Sequence, residues 1–191
     1  MPEPIETERL LIRELSASDL LDCHRLNLDI GWNEPSLAEK EALERRQRWL
    51  EWTIRGYEQL RLLDQPPYGE RAVVLKEGHV FVGLIGLVPL LAPFGQLPSR
   101  GGRALAPFTA EVGLFWAVSP AHQGRGIASE AGRALANFAF QALRVERVLA
   151  CTEYDNVGSI AVMRSLGMQL ERNPEPEPPW FQITGTLEKP E

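Results

Sequence analysis

Six residues, Gln123-Gly124-Arg125-Gly126-Ile127-Ala128, have the types and spacing best suited to chemistry in this chain. An apolar run, Glu111 to Val118 (EVGLFWAV), precedes them, and a helical pattern, SEAGRALANFAF, follows. The two glycines let the backbone approach a ligand with no Cβ in the way. A helix start adds unpaired N–H groups and the positive end of the dipole. A strand, a glycine turn and a helix in that order suit an anionic group, most often a phosphate. The Walker pattern fails, because Gly124 and Gly126 are too close and no lysine follows. The dinucleotide fingerprint fails too. Its third glycine would fall at Ser129, and it belongs at a chain's first strand–turn–helix. A third pattern fits: Gln or Arg, two residues, Gly, one residue, then Gly or Ala. Gln123, Gly126 and Ala128 satisfy it.

The elements that must position this turn are legible on both sides of it. Glu6 to Glu14 reads as a strand with Leu10 and Ile12 on one face. Ser16 and Asp19 form a capping-box-like start for a short helix to Leu28. Ser36 with Glu39 suggests a second helix running to about Leu63, with Leu43, Leu50, Ile54 and Tyr57 at helical spacing. Trp49, Trp52 and Leu60 widen that stripe, and the tryptophans read either as core anchors or as the lining of a pocket. Arg71–Lys76 and Val80–Val88 read as antiparallel strands about a Glu77-Gly78 turn. Gly83 and Gly86 point to a bulge or a close backbone neighbour. Pro89 to Pro107 reads as a long loop or extended hairpin able to cover a site. After the central turn, Ile127, Ala131, Leu135, Phe138 and Ala142 form a helical stripe. A strand at Glu146–Thr152 follows, then a helix opened by Asp155-Asn156 and stopped by Gly167. Met168–Glu171 and Trp180–Leu187 read as closing strands. The interleaving predicts a mixed α/β or α+β layer.

Composition sets the outer bounds. The chain has 191 residues, 44% hydrophobic and 24% charged, which suits one soluble domain. A net charge of −6 argues against a general nucleic-acid surface. Cys23 and Cys151 show neither a disulfide framework nor metal-ligand spacing, and the histidines are scattered, so a reducing cytoplasm and no metal are expected. The opening MPEPIETERL does not read as a signal peptide, and no apolar stretch approaches transmembrane length.

Several stretches together resemble the GNAT superfamily of N-acetyltransferases, in particular its ribosomal-protein and protein N-terminal branch. They are Thr7–Arg13, Val82–Leu87, Glu111–Gly113, Gly126–Ala131, Asn156–Ala161 and Leu166–Met168. The resemblance implies one domain over 1–191, with a mixed, mostly antiparallel central sheet flanked by helices on both faces. It also implies acetyl-CoA as co-substrate. By that likeness the backbone of Gln123, Gly124, Arg125, Gly126, Ile127 and Ala128 would cradle the pyrophosphate. Arg125 would either reach a CoA phosphate or stay a solvated surface arginine. Trp116, Ala117 and Val118 would pair with the pantetheine arm. Asn156, with Ser159 nearby, would touch the cofactor, cap a helix, or both.

The implied reaction is direct attack of a primary amine on the thioester, in a ternary complex. The amine belongs to a protein N-terminus or a small molecule, and no membrane or nucleic-acid partner is expected. The resemblance leaves a homodimer open. The base would be Glu111, directly or through water, with Glu153 second. Glu111 also reads as a strand-edge glutamate with a structural partner. Many relatives carry a tyrosine where this chain has Met163, and methionine cannot protonate a thiolate; Tyr154 is nearby in sequence. That gap keeps a second reading alive, a non-catalytic acyl-CoA-binding module on the same fold. A nucleotide-binding α/β domain would need the fingerprint the chain lacks.

Overall fold

Leu10 and Ile12 alternate with half-buried neighbours and are themselves fully buried, so the first long strand is a one-sided pleat. The computed structural model describes residues 4–190. The first three residues of the segment read for a signal, and the last residue of the expected domain, lie outside them. The strands are β1 (Ile5–Glu6), β2 (Leu10–Arg13), β3 (Gly69–Leu75), β4 (Val80–Ala92), β5 (Thr109–Val118), β6 (Arg147–Thr152), β7 (Gln169–Arg172) and β8 (Ile183–Glu188). The helices are α1 (Leu20–Asp29), α2 (Glu39–Leu62), α3 (Ile127–Gln141) and α4 (Val157–Ser165). The strands form an eight-stranded sheet in the order β1-β2-β3-β4-β5-β6-β8-β7. It is mostly antiparallel, and β5 and β6 pair in parallel at Gly113↔Leu149. This is the mixed α/β class expected from the interleaved pattern.

The chain divides into two compact units whose boundaries fall inside β4, β5 and α3. The first takes residues up to Gly86 together with Phe115–Ala134. Its core joins Leu15, Leu26, Leu50, Tyr57, Val74 and Leu84, with Trp49 and Phe115 packed against it. The capping box at Ser16 and Asp19 forms, and Arg13 grips Asp19 at 2.7 Å. Helix α2 begins after Ala38 rather than at Ser36, whose hydroxyl bonds Glu34 instead. Trp52 on α2 faces out at 70% exposure. Both strand glycines have the close backbone neighbours expected. A Cβ on Gly83 would lie 2.2 Å from the Ala117 carbonyl, and one on Gly86 would lie 2.7 Å from the Gly69 carbonyl.

The second unit takes Leu87–Leu114 and the chain from Leu135 on. Its core centres on Phe94, Leu97, Leu149 and Phe181, with the Phe94 and Phe181 rings edge to face at 5.3 Å. Strand β4 runs on through Pro89 to Ala92, beyond the expected end at Val88. The segment expected to be loop then makes two 3-10 turns, Phe94–Gln96 and Pro98–Arg100. Buried Asn173 holds it by donating to Gln96 Oε1 at 2.8 Å. Cys23 and Cys151 are free thiols. Among the described residues no helix is long and apolar enough to cross a membrane, and no acidic, histidine or cysteine cluster could hold a metal.

Candidate active site

Trp116 is half-buried, and Ala117 and Val118 are buried, at the end of β5. Beyond them the Ser119 N–H donates to the Val82 carbonyl at 2.9 Å, tying the strand's exit to β4. A 3-10 turn, Pro120–His122, reverses the chain. The Gln123 side chain donates back to the Val118 carbonyl at 2.9 Å and braces the turn from within. Gly124 and Gly126 adopt φ of 70° and 76°. Such left-handed values cost a residue with a side chain about 1–2 kcal/mol. A Cβ on Gly124 would meet open space, and one on Gly126 only the end of the Arg9 side chain, 3.6 Å away. The backbone of the turn is therefore open to a ligand. Ile127, 2% exposed, anchors the start of α3. The N–H groups of Ile127 and Ala128 have no partner within the helix.

Residues 7–9 clamp this turn, a role no motif suggests. Arg9 Nη1 donates to the Arg125 carbonyl at 3.1 Å, and Arg9 Nε donates to Glu130 Oε2 at 2.6 Å. Glu130 also accepts from the Thr7 hydroxyl and the Arg9 N–H. Carbonyl and N–H point opposite ways across a trans peptide. With its carbonyl held by Arg9, the 125–126 peptide turns the Gly126 N–H to the side away from Arg9. Burial raises the Glu130 carboxyl, but the bonds from Thr7 and Arg9 outweigh it and hold it below its ordinary value. Open glycines, unpaired N–H groups and a positive dipole end fit the phosphates of CoA. Arg125 is exposed, and its carbonyl accepts from Arg9.

The other expected residues belong to the second unit. Glu111 lies early in β5. Its Oε1 accepts from Arg100 Nη1 at 2.6 Å and from Arg147 Nη2 at 2.9 Å, while Oε2 accepts from Arg147 Nε at 3.0 Å. Burial pushes this carboxyl up, and the two guanidiniums outweigh burial, leaving it below the usual value. Glu153, just past β6, is half-buried and accepts from the Thr152 hydroxyl at 3.1 Å. Asn156 caps α4, with Oδ1 accepting from the Ser159 N–H at 3.0 Å. Asn156 is exposed and Ser159 half-buried.

A cavity of about 350 Å³ in the first unit adds residues the motifs do not reveal. Trp32, Trp49, Leu84 and Phe115 form its apolar side, and Asn27, Arg46 and Glu70 its polar side. Burial raises the Glu70 carboxyl above its ordinary value. Only Trp49 points to such a place from the sequence. It serves both readings, packing on the core and lining the cavity.

A model of the acetyltransferase (GNAT) domain matches residues 9–169, which covers most of both units. The chain belongs to the GNAT acetyltransferase family. That family uses acetyl-CoA as its acyl donor. An uncharacterized N-acetyltransferase, YnaD of Bacillus subtilis (strain 168), is 35% identical over 63 residues. That match spans 33% of this chain and only 36% of YnaD's length. An acetyltransferase structure from Agrobacterium tumefaciens str. C58 shares the fold with a TM-score of 0.65 at 21% identity, over 98% of this chain and 95% of that one. The ribosomal L7/L12 alpha-N-protein acetyltransferase RimL, solved with coenzyme A, gives 0.59 at 16%, over 96% of each chain.

As a GNAT domain the chain departs from many members at Met163. This side chain is fully buried, with its sulfur 3.1 Å from where a Cβ on Gly185 would stand, so it fills the core. Tyr154 does not stand in for the missing tyrosine as a free acid. Its hydroxyl donates to the Asn173 carbonyl, and the Arg172 guanidinium stacks 3.5 Å over its ring.

Proposed function

We propose that this GNAT domain is an acetyl-CoA-dependent N-acetyltransferase acting on a primary amine by direct attack. The observation that carries this is the open Gly124–Gly126 turn at the start of α3, with the Arg125 carbonyl drawn aside by Arg9. Acetyl-CoA supplies the activated acetyl group. The N–H groups of 124–128 hold its phosphates, Arg125 adds a charge-assisted contact, and Trp116–Val118 offer main-chain bonds to the pantetheine. Gln123 braces the turn, and Asn156 and Ser159 add polar contacts. A base is needed because an ammonium has no lone pair. We assign proton acceptance to Glu153, which accepts from the Thr152 hydroxyl, and an electrostatic role to Glu111. What supports this division is the pair of guanidiniums that occupies the Glu111 oxygens and lowers its basicity. Unpaired Cys23 and Cys151 accord with a reducing cytoplasm.

Calorimetry with acetyl-CoA and thiol release across a panel of primary amines test the reading. Saturable binding and acetyl-CoA-dependent thiol release are expected. Gly126→Leu should abolish binding, and Glu153→Gln should lower kcat by roughly 100-fold. No binding at millimolar acetyl-CoA would sink the proposal. The second reading, a CoA-binding module without turnover, draws on buried Met163 and the engaged Tyr154 hydroxyl. Binding with no thiol release from any amine would favour it.

A further inference from the structure

The cavity in the first unit is lined by two opposite charges that attract each other without meeting in an ion pair. Among the described residues, Arg46 and Glu70 form no ion pair. Arg46 bonds the Asn27 side chain through Nη2 and lies 4.8 Å over the Trp49 ring, while its Nε–H is buried without a partner. Glu70 lends its main-chain carbonyl to Tyr57, and its carboxylate makes no ion pair among the described residues. The same cavity is lined by an apolar surface that includes the Trp32 and Phe115 rings, 5.8 Å apart. Both residues are half-buried, and desolvating either charge further without a partner is costly, so an occupant that pairs both is favoured over one that pairs either. A simple cation would meet Arg46, and a simple anion would meet Glu70. Phe115 directly precedes Trp116–Val118 on β5, so this wall continues into the strand assigned to the pantetheine arm.

We propose that this cavity takes the acceptor, and that the acceptor is a free amino acid with an apolar side chain. Its ammonium pairs with Glu70, its carboxylate with the Arg46 guanidinium, and its side chain lies among Trp32, Trp49, Leu84 and Phe115. The volume, about 350 Å³, is near the lower end of small-molecule sites, roughly 300–1,000 Å³. The inference rests on the acetyl-transfer reading. The amine loses a proton to a base and forms the N–C bond, and the C–S bond breaks. The nitrogen sheds a second proton as the thiolate takes one up. The balance is amino acid plus acetyl-CoA to N-acetyl amino acid, CoA thiol and one proton.

Trp32 and Trp49 make binding readable by intrinsic fluorescence, without turnover and without CoA. L-leucine should give a saturable change. Its two halves, 3-methylbutylamine without the carboxylate and 4-methylpentanoate without the amine, should bind at least about tenfold more weakly, since each covers one half-buried charge without pairing it. Arg46→Gln should erase the preference for leucine over 3-methylbutylamine, and Glu70→Gln the preference over 4-methylpentanoate. The three ligands are compared on the unmodified protein, so the proposal can fail or stand even where a variant does not fold. No saturable change with leucine, isoleucine or phenylalanine overturns the proposal, as does binding of either half as tight as that of leucine. Thiol release with peptide N-termini or polyamines but not amino acids overturns it too, while leaving acetyl transfer standing. Failure to bind acetyl-CoA overturns the transfer reading, and the leucine titration still decides the cavity.

Discussion

The Glu111 carboxylate receives bonds from two arginines, one 11 and one 36 residues away in sequence. Strand position makes it a candidate base, but basicity is decided by neighbours that one sequence does not bring together. Arg100 arrives from the 3-10 turns after β4, in a stretch that reads as a long loop or extended hairpin because it is rich in Pro, Gly, Ser and Arg. The ion pairs also predict a pH dependence. The folded carboxyl lies below its ordinary 4.5. It therefore contributes stability that is complete above that value and lost as pH falls toward and through the lower folded one. Glu111→Gln should cost about 1–3 kcal/mol at pH 6, the scale of hydrogen bonds to a charged group. Denaturant unfolding at pH 6 and pH 3.5 checks both points. The unmodified protein should lose more stability between the two pH values than the variant, and equal losses would show that the arginines do not depress the carboxyl.

At the scale of elements, the site depends on how α3 begins. The glycine pattern and the α3 stripe are readable because both are local. Ile127, Ala131 and Leu135 are buried as expected, although Ala139 and Phe140 take the buried places read for Phe138 and Ala142. The Arg9–Glu130 clamp is not readable, since its partners stand 121 residues apart. The full length of β4 is hidden for a related reason. Pro89 looks like a breaker, yet the strand continues through it, with Pro89 itself exposed. The last strand starts later than expected because Pro179–Phe181 makes a turn that buries Phe181. If the clamp orients the 125–126 peptide, Arg9→Gln should weaken CoA binding about three- to tenfold, the loss of roughly one hydrogen bond's worth of preorganisation. Calorimetry on the folded variant measures it. Unchanged affinity would mean that the glycine turn holds its shape without help from Arg9.

For the whole molecule, the net charge of −6 gives a polyanionic ligand no general attraction, so CoA affinity must come from local donors at the turn. Overall charge thus makes the phosphate contacts separable from the rest of the ligand. Saturation at about 100 times Kd stabilises a folded protein by about 2.7 kcal/mol. For chains of about 150–250 residues each kcal/mol moves Tm by about 2–4 °C. CoA at that level should therefore raise Tm by about 5–10 °C. Pantetheine lacks the phosphates but keeps the arm assigned to Trp116–Val118. At the same concentration it should move Tm by far less, and Gly126→Leu should abolish the CoA shift while leaving any pantetheine shift. Thermal melts with the two ligands make the comparison directly. An equal shift from pantetheine would move the anchor of binding from the turn to β5, and Gln123–Ala128 would then serve the fold rather than the phosphates.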